Sequence, residues 1–313
     1  MQSITRFMIP KPTHGSEEWL RVRWKDENNW ARISASVASC VHGENPYKTA
    51  GELAVELMAD EPPKPQTPTQ DMERGNRLEP VLIKWHMDMT GEEIVTPDSM
   101  YCYWRLISTL DGVKPDNTPI EVKTTRKRWD GKLPRHWYWQ GVQQALCTGS
   151  ATVEWIIFDT DLVLHHHVQV VTSDEKTRHY AACVDFLEAV DEGRLPDVAD
   201  VDLGLVNSLY PEGEANTVEL PDSAEDLLNR ITELRTLKKE VDNQEARLKG
   251  EVGLLLGTAD TGTLAGGVAV TWKTTSRESF DLASFEKAHP ALAAKFKKKQ
   301  SYRVMKIHTQ KGE

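Results

Sequence analysis

Between residues 79 and 158 the apolar and polar positions change period several times. Single alternation predicts a short strand over 119–123, with Glu121 and Lys123 on one face and Val122 turned into packing. The preceding stretch, Lys114-Pro115-Asp116-Asn117-Thr118-Pro119, is rich in turn formers, so the chain folds back and brings Asp111 beside Glu121. Upstream, Val81, Leu82, Trp85 and Met89 recur at helical spacing as far as Gly91, which sets Glu79 on a helix. Downstream, Trp137 to Gly149 reads as an amphipathic helix with a glycine stop, followed by a strand from Thr152 to Phe158.

A further helix is predicted over Asp174–Val190, with Tyr180, Val184, Leu187 and Val190 as its apolar positions and Gly193 closing it. Pro196, Pro211, Gly213 and Pro221 among scattered acids mark 196–221 as a linker between a domain at 1–195 and a second at 222–313. The second unit opens with a helix capped around Asp222-Ser223-Ala224-Glu225. Its stripe of Leu227, Leu228, Ile231, Leu234, Leu237, Val241 and Leu248 is expected to pack against the strands that follow. Those are a strand over 267–272 and another over 302–307, separated by a helical stretch from Leu282 to Phe296.

Composition narrows the classes. The chain has 313 residues and 39% hydrophobic content, enough for at least one substantial core. Without an apolar run of about 20 residues or a charged-then-apolar leader, a membrane span or secretion signal is not expected. The 4 cysteines, Cys40, Cys102, Cys147 and Cys183, lie far apart without a CxxC pair. They fit reduced core thiols in a cytoplasmic protein. The net charge of −10 runs against nucleic-acid binding, but Arg126, Lys127, Arg128, Lys132 and Arg135 form a basic stretch directly after the predicted Glu121 strand. A local positive lip on an acidic body still attracts DNA.

Two neighbouring carboxylates repel unless a cation lies between them, and hard oxygen donors favour Mg²⁺ or Mn²⁺. Asp111 and Glu121 are thus candidate metal ligands, and Lys123 a candidate for holding an attacking water or a phosphate oxygen. An ordinary hairpin with a solvated Asp-Gly and a surface Glu-x-Lys pair fits the same residues.

The wider pattern resembles the lambda exonuclease and YqaJ-type viral recombinase nucleases, the phage-type alkaline exonucleases of the PD-(D/E)xK superfamily. Six pieces occur in family order over roughly residues 14–195. They are Glu17-Glu18-Trp19 with Arg23; Ile33-Ser34-Ala35-Ser36 before Gly43-Glu44-Asn45-Pro46-Tyr47; Arg74-Gly75-Asn76 with Leu78-Glu79-Pro80; Asp111-Gly112; Glu121-Val122-Lys123; and Gln140 ahead of Thr148-Gly149. The resemblance implies an α/β, restriction-endonuclease-like core, a mixed central sheet flanked by helices, here with a C-terminal α+β appendage led by a long helix. It implies a Mg²⁺-dependent exonuclease, with Mn²⁺ as a substitute and two ions per site, that degrades the 5′-ended strand of linear duplex DNA. The 3′ single strand would pass to an annealing recombinase in the bacterial host cytoplasm, and the enzyme would form a homo-oligomeric ring such as a trimer.

By the same resemblance Asp111, Glu121 and the Val122 carbonyl hold metal, Glu79 lies close to it, Lys123 is catalytic and Gln140 reaches into the site. Arg23 and Ser36 match residues that hold a terminal 5′-phosphate, a role for which a guanidinium fork and a hydroxyl are suited. Lys25-Asp26-Glu27-Asn28-Asn29-Trp30 lengthens the path between them relative to the lambda pattern, so Arg32 is an alternative to Arg23. Trp139-Gln140-Gly141-Val142-Gln143 replaces a tighter Gln-Val-Gln, which leaves open which glutamine points inward.

Other readings remain. An endonuclease of the same superfamily and a repair nuclease of the RecB or CRISPR-associated kind are alternatives, the lack of an iron-sulfur cysteine set weighing against the CRISPR-associated kind. A non-catalytic DNA-binding assembly protein that has kept the fold is another, against which the intact Asp111, Glu121, Lys123 and Gln140 argue. In His165-His166-His167 the middle ring faces away from its neighbours, so a polar strand end fits better than a three-histidine metal site. Trp129, Trp137 and Trp139 fit base stacking or core packing. Lys295, Lys297, Lys298, Lys299, Arg303 and Lys306 give the C-terminal unit a basic character suited to gripping DNA or a partner, although a stabilising or oligomer-forming role fits it better.

Overall fold

The predicted hairpin forms. Strand β5 (Gly112–Val113) pairs antiparallel with β6 (Pro119–Thr124), and Lys114 N–H to Thr118 O with Asn117 at φ 66° closes the turn. Gly112 is required here, because a Cβ would run into the Ile94 and Ile120 side chains. The computed structural model describes residues 5–65, 67–214, 216–297 and 303–307. The chain divides into two units, Met1–Leu209 and Tyr210–Glu313.

In the first unit, strand β1 (Arg6–Pro10) is followed by helix α1 (Glu17–Trp24), strand β2 (Ile33–Ser34) and a 3-10 helix over Ala35–His42. Helices α2 (Ala50–Met58) and α3 (Gln70–Thr90) lead to β3 (Ser99–Tyr103), β4 (Leu106–Ser108) and the β5–β6 hairpin. Helix α4 (Arg135–Thr148) then crosses to β7 (Thr152–Phe158), which pairs with β8 (Leu164–Val170) before α5 (Ser173–Asp191) and α6 (Leu203–Leu209). Two four-stranded sheets result, in the orders β1-β3-β4-β2 and β5-β6-β7-β8. Each is mixed: β4 runs parallel to β2, and β6 runs parallel to β7, joined by the α4 crossover. This is the mixed α/β architecture, flanked by helices, that the motif order implies.

Helix α4 is not amphipathic. Every residue from Trp139 to Cys147 is buried, because α4 packs against both sheets and α5. Its polar side chains find partners far away in sequence. Gln143 Nε2 donates to the Ile33 and Ile107 carbonyls at 2.8 and 3.1 Å and so ties α4 to β2 and β4. Gly141 lets α4 approach the sheet, since a Cβ there would strike the Gln169 amide and the Trp155 ring. The fully buried Trp155, Ile156, Ile157 and Ile120 each contribute roughly 1.5–3 kcal/mol by leaving water.

Helix α3 also differs from its predicted stripe. It begins at Gln70 behind a Thr69 cap and ends at Gly91 (φ 72°) as expected, but it buries Leu82, Ile83 and His86 while Val81, Trp85 and Met89 are exposed. Leu82 and Ile83 pack there against Ile120, Val122 and Ile156 of the sheet, and the buried His86 is satisfied by Glu92 at 3.0 Å. Within the stretch read as a linker, α6 docks Leu205 against Gly51 of α2, where a side chain on the glycine would clash. The four cysteines are buried and free, and burial raises the thiols of Cys40 and Cys147 to about 12.

In the second unit, helix α7 (Ser223–Leu256) precedes the hairpin β9 (Thr261–Leu264) with β10 (Gly267–Thr271). Asp222 makes no side-chain cap. The stripe does not pack as expected: α7 has no buried residue, and Leu227, Leu234, Leu237, Val241 and Leu248 are exposed. The predicted helix at 282–296 is broken into α8 (Leu282–Ala288) and α9 (Pro290–Phe296), because Pro290 cannot continue the first helix. Residues 303–307 form no strand; Lys298, Lys299 and Tyr302 lie outside the described residues. Among the described residues, no helix is long and apolar enough to cross a membrane.

Candidate functional site

Strand β4 stops at Ser108 and β5 starts at Gly112, so Thr109, Leu110 and Asp111 carry the chain from one sheet to the other. At this junction Asp111 Oδ2 accepts the Val122 N–H at 2.8 Å, which fastens it to the middle of β6. Alternation along β6 turns Glu121 and Lys123 to the α4 side. Glu121 is 3% exposed. Its Oε1 accepts Gln140 Nε2 at 2.5 Å and also the Lys123 ammonium, while its Oε2 accepts Gln144 Nε2 at 2.5 Å. Gln140 and Gln144 lie one turn apart on α4 and act as a pair on a single carboxylate. Gln140 therefore orients Glu121.

Glu79 approaches from α3. The next residue, Pro80, has no N–H, so the Asn76 carbonyl loses its helical donor at the point where Asn76 faces the same space. Glu79, Asp111, Glu121, Lys123 and Gln140 line one cavity of about 520 Å³, together with Lys11, Asn76, Thr109, Arg23 and Ser36. Thr109 Oγ1 is buried there without a hydrogen-bond partner.

The cavity holds three carboxyl groups and, from the strand itself, one ammonium. Burial, then repulsion from Glu121 and Glu79, pushes the Asp111 carboxyl well above the ordinary aspartate range. Burial followed by the Glu121 charge raises Glu79. Desolvation pulls Lys123 down, but Glu121, Asp111 and Glu79 outweigh it, and the ammonium is held charged above its usual value. The carboxyl groups offer oxygen donors in a partly dry setting, which suits a hard divalent cation. The three carboxylates are nonetheless spread. Among the described residues, the set of three His, Cys, Asp or Glu ligand atoms within 4.8 Å of one another is a different one, His86, Glu154 and His166.

At the other end of the cavity, Arg23 on α1 donates to Ser34 Oγ at 2.9 Å and Ser36 Oγ at 2.5 Å, with its guanidinium over the Trp19 ring at 3.9 Å. Its Nε is buried and unpartnered, and burial lowers the group to about 10, so it remains a cation at neutral pH. The residues Lys25 to Trp30 do not separate Arg23 from Ser36, because they loop out between Lys25 and Ala31, which form a bridge. Arg23 and Ser36 also line an adjoining cavity of about 560 Å³, which contains Arg32. Arg32 donates to the Val22 carbonyl at 3.0 Å and does not line the cavity that holds Asp111 and Glu121.

The basic run stays outside both cavities. Arg126 pairs with Asp71 at 2.6 Å and Arg128 with Asp161 at 3.2 Å, both exposed, and Lys127 lies between them. Trp129, Trp137 and Trp155 stack on one another, and Trp139 stacks on His42 at 3.5 Å, in keeping with core packing. Gln144, Thr109 and Lys11 were not legible as site residues. For Gln144 a signal existed in its spacing of four from Gln140; the other two sit at a junction and beyond a strand end, where no periodicity points.

Fold and site together define an α/β domain organised around one acid-rich cavity with a lysine at its centre. Residues 18–151 match the family model of the YqaJ-like viral recombinase domain. No curated protein matches the chain. Among solved structures, the alkaline exonuclease LHK-Exo from Laribacter hongkongensis is similar at 18% identity and a TM-score of 0.47, covering 57% of this chain and 94% of that one; its complex with dAMP gives the same values. A phage-related exonuclease from Haemophilus somnus 129PT is similar at 12% identity and a TM-score of 0.40, covering 52% and 96%.

Proposed function

We propose that the chain is a divalent-metal-dependent exodeoxyribonuclease of the phage recombination type. It digests the 5′-ended strand of linear duplex DNA and leaves a 3′ single strand for an annealing recombinase. The observation that carries this reading is convergence: Asp111 from a sheet junction, Glu121 and Lys123 from β6, Glu79 from α3 and Gln140 from α4 enter one cavity with Arg23 and Ser36 at its edge.

Asp111, Glu121 and the Val122 carbonyl, with Glu79, would hold Mg²⁺, two ions when full, and Mn²⁺ would substitute. The unpartnered Thr109 hydroxyl and the repulsion of the neighbouring carboxylates on buried Asp111 support that fit. When bound, such cations supply Lewis-acid stabilisation at the scissile phosphate and acidify a bound water. The protein's own part is to aim and balance charge. Gln140 and Gln144 hold Glu121 in one rotamer, and the Lys123 ammonium supplies positive charge beside a phosphate oxygen as its negative charge grows. Arg23, with Ser34 and Ser36, takes a terminal 5′-phosphate. Arg126, Lys127 and Arg128 contact the DNA backbone; their exposed ion pairs are weak and exchange readily for phosphates. Leu227, Leu234, Val241, Leu248 and Leu255, exposed at seven-residue intervals on α7, support a homo-oligomeric assembly.

Digestion of end-labelled linear duplex, 5′-phosphorylated against 5′-hydroxyl, with Mg²⁺ and with EDTA, tests the proposal. Mg²⁺-dependent release from the 5′ end, faster on the phosphorylated substrate, is expected. Cutting of covalently closed circles would replace the exonuclease reading by an endonuclease.

A further inference from the structure

The β5-β6-β7-β8 sheet has a second charged face. Alternation on β7 turns Glu154 away from its neighbour Trp155, and Glu154 is in register with Ile120, which faces α3, whereas Glu121 faces α4. On β8, His166 is in register with Ile156, two residues from Glu154, and so points to the same side as Glu154, while His165 and His167 point to the other. Helix α3 adds His86, buried at 3% exposure, with its ring centroid 4.9 Å from that of His166. We propose that His86, Glu154 and His166 form a second metal site, for a borderline divalent ion of the Zn²⁺ class, separated from the acid cavity by the thickness of the sheet.

Three observations support it. One ligand atom from each of the three residues lies within 4.8 Å of the others. Tetrahedral zinc with bonds of about 2.0–2.2 Å needs its ligand atoms roughly 3.4 Å apart, so Glu154 Oε2 and His166 Nε2, now at 2.8 Å, open slightly and the wider separations close, a shift the partly exposed His166 side chain accommodates. Lys114 also pre-orients the carboxylates. Its ammonium donates to Oε1 of both Glu92 and Glu154 at 2.7 Å, and this leaves Glu154 Oε2 facing His166 Nε2 at 2.8 Å and Glu92 Oε2 facing His86 Nε2 at 3.0 Å. An outer cation that fixes a carboxylate while its other oxygen points at a site is how metal centres hold their ligands in place. Finally, the donors differ in kind from those around Asp111. Two imidazoles and one or two carboxylates select Zn²⁺, Ni²⁺ or Cu²⁺ over Mg²⁺.

The test is a titration of chelator-stripped full-length protein with Zn²⁺ against a chromophoric competitor, with thermal melting in parallel. One Zn²⁺ bound per chain with micromolar or tighter affinity and a raised Tm is expected. His166→Ala, at a partly exposed position, should weaken binding about tenfold or more, and so should His86→Gln if it folds. Asp111→Asn should bind Zn²⁺ at this site as the parent does. No stoichiometric binding, undiminished binding by His166→Ala, or loss of binding in Asp111→Asn would overturn the proposal. In that case Lys114 is the only cation the cluster holds.

Discussion

The two faces of the β5-β6-β7-β8 sheet use similar parts to different ends. Towards α4, Asp111, Glu121 and Glu79 share Lys123, and the carboxyl groups of Asp111 and Glu79 are pushed up by burial and then by the Glu121 charge. Towards α3, Glu92 and Glu154 share Lys114, and the lysine hydrogen bond holds Glu92 below its ordinary range. One face gathers three carboxyl groups around the strand's own Lys123, with Lys11 and Arg23 also lining the cavity. The other sets two carboxylates on one lysine and is edged with imidazole. Desolvated acids alone do not mark a site; the kind of donor beside them, carboxylate oxygen on one face and imidazole nitrogen on the other, distinguishes the two.

The comparison breaks most sharply at Asp111. Asp111→Asn removes one of three acids without changing shape, and nucleotide release from linear duplex should fall by on the order of 100- to 1,000-fold at saturating Mg²⁺. His166→Ala, on the other face, should leave that rate within about twofold. A smaller effect follows from Gln140→Leu, which deprives Glu121 Oε1 of an amide donor. The rate should drop about 10- to 100-fold, with a lesser drop in DNA affinity, because the carboxylate is misaimed while the duplex still docks.

Arg23→Ala should reduce the preference for 5′-phosphorylated over 5′-hydroxyl ends by about tenfold, roughly 1.4 kcal/mol, while sparing the slow reaction on hydroxyl ends. Competition kinetics with the two labelled ends reads this directly.

The smallest effect is on stability. Asp111 and Glu79 bind their protons more tightly folded than unfolded, so the metal-free protein loses stability as pH rises from the ordinary carboxyl range through the raised values. At pH 8 without metal, Asp111→Asn should melt roughly 2–4 °C higher than the parent, about 1 kcal/mol. The gap should shrink towards pH 4 and when Mg²⁺ is added. A parent that melts higher than Asp111→Asn at pH 8 without metal would mean the cavity's charge is already balanced.

How much of this was visible in the sequence depended on whether a residue's partner is local. The alternation of β6 placed Glu121 and Lys123 on one face, and Gly91 and Gly149 stop their helices in the left-handed conformation the pattern predicted. Helix α4 was misread as amphipathic because Gln140, Gln143 and Gln144 count as polar. Their partners, Glu121 and the carbonyls of Ile33 and Ile107, lie 19 to 110 residues away. The stripe of α3 was misplaced for a related reason: Leu82 and Ile83 are buried by Ile120, Val122 and Ile156, which lie far along the chain. Arg23 and Ser36 were legible as motif members, but their meeting depended on the 25–31 loop folding outward, which no period encodes.

The central claim is that the acid cavity around Lys123 is the nuclease centre. It is tested most directly by Mg²⁺-dependent release of nucleotides from linear duplex by the parent protein and by Lys123→Met, with closed circular duplex as control. The account predicts steady release from linear ends by the parent, at least about 100-fold less by Lys123→Met at an unchanged fold, and intact circles throughout. Release by Lys123→Met at the parent's rate would contradict it.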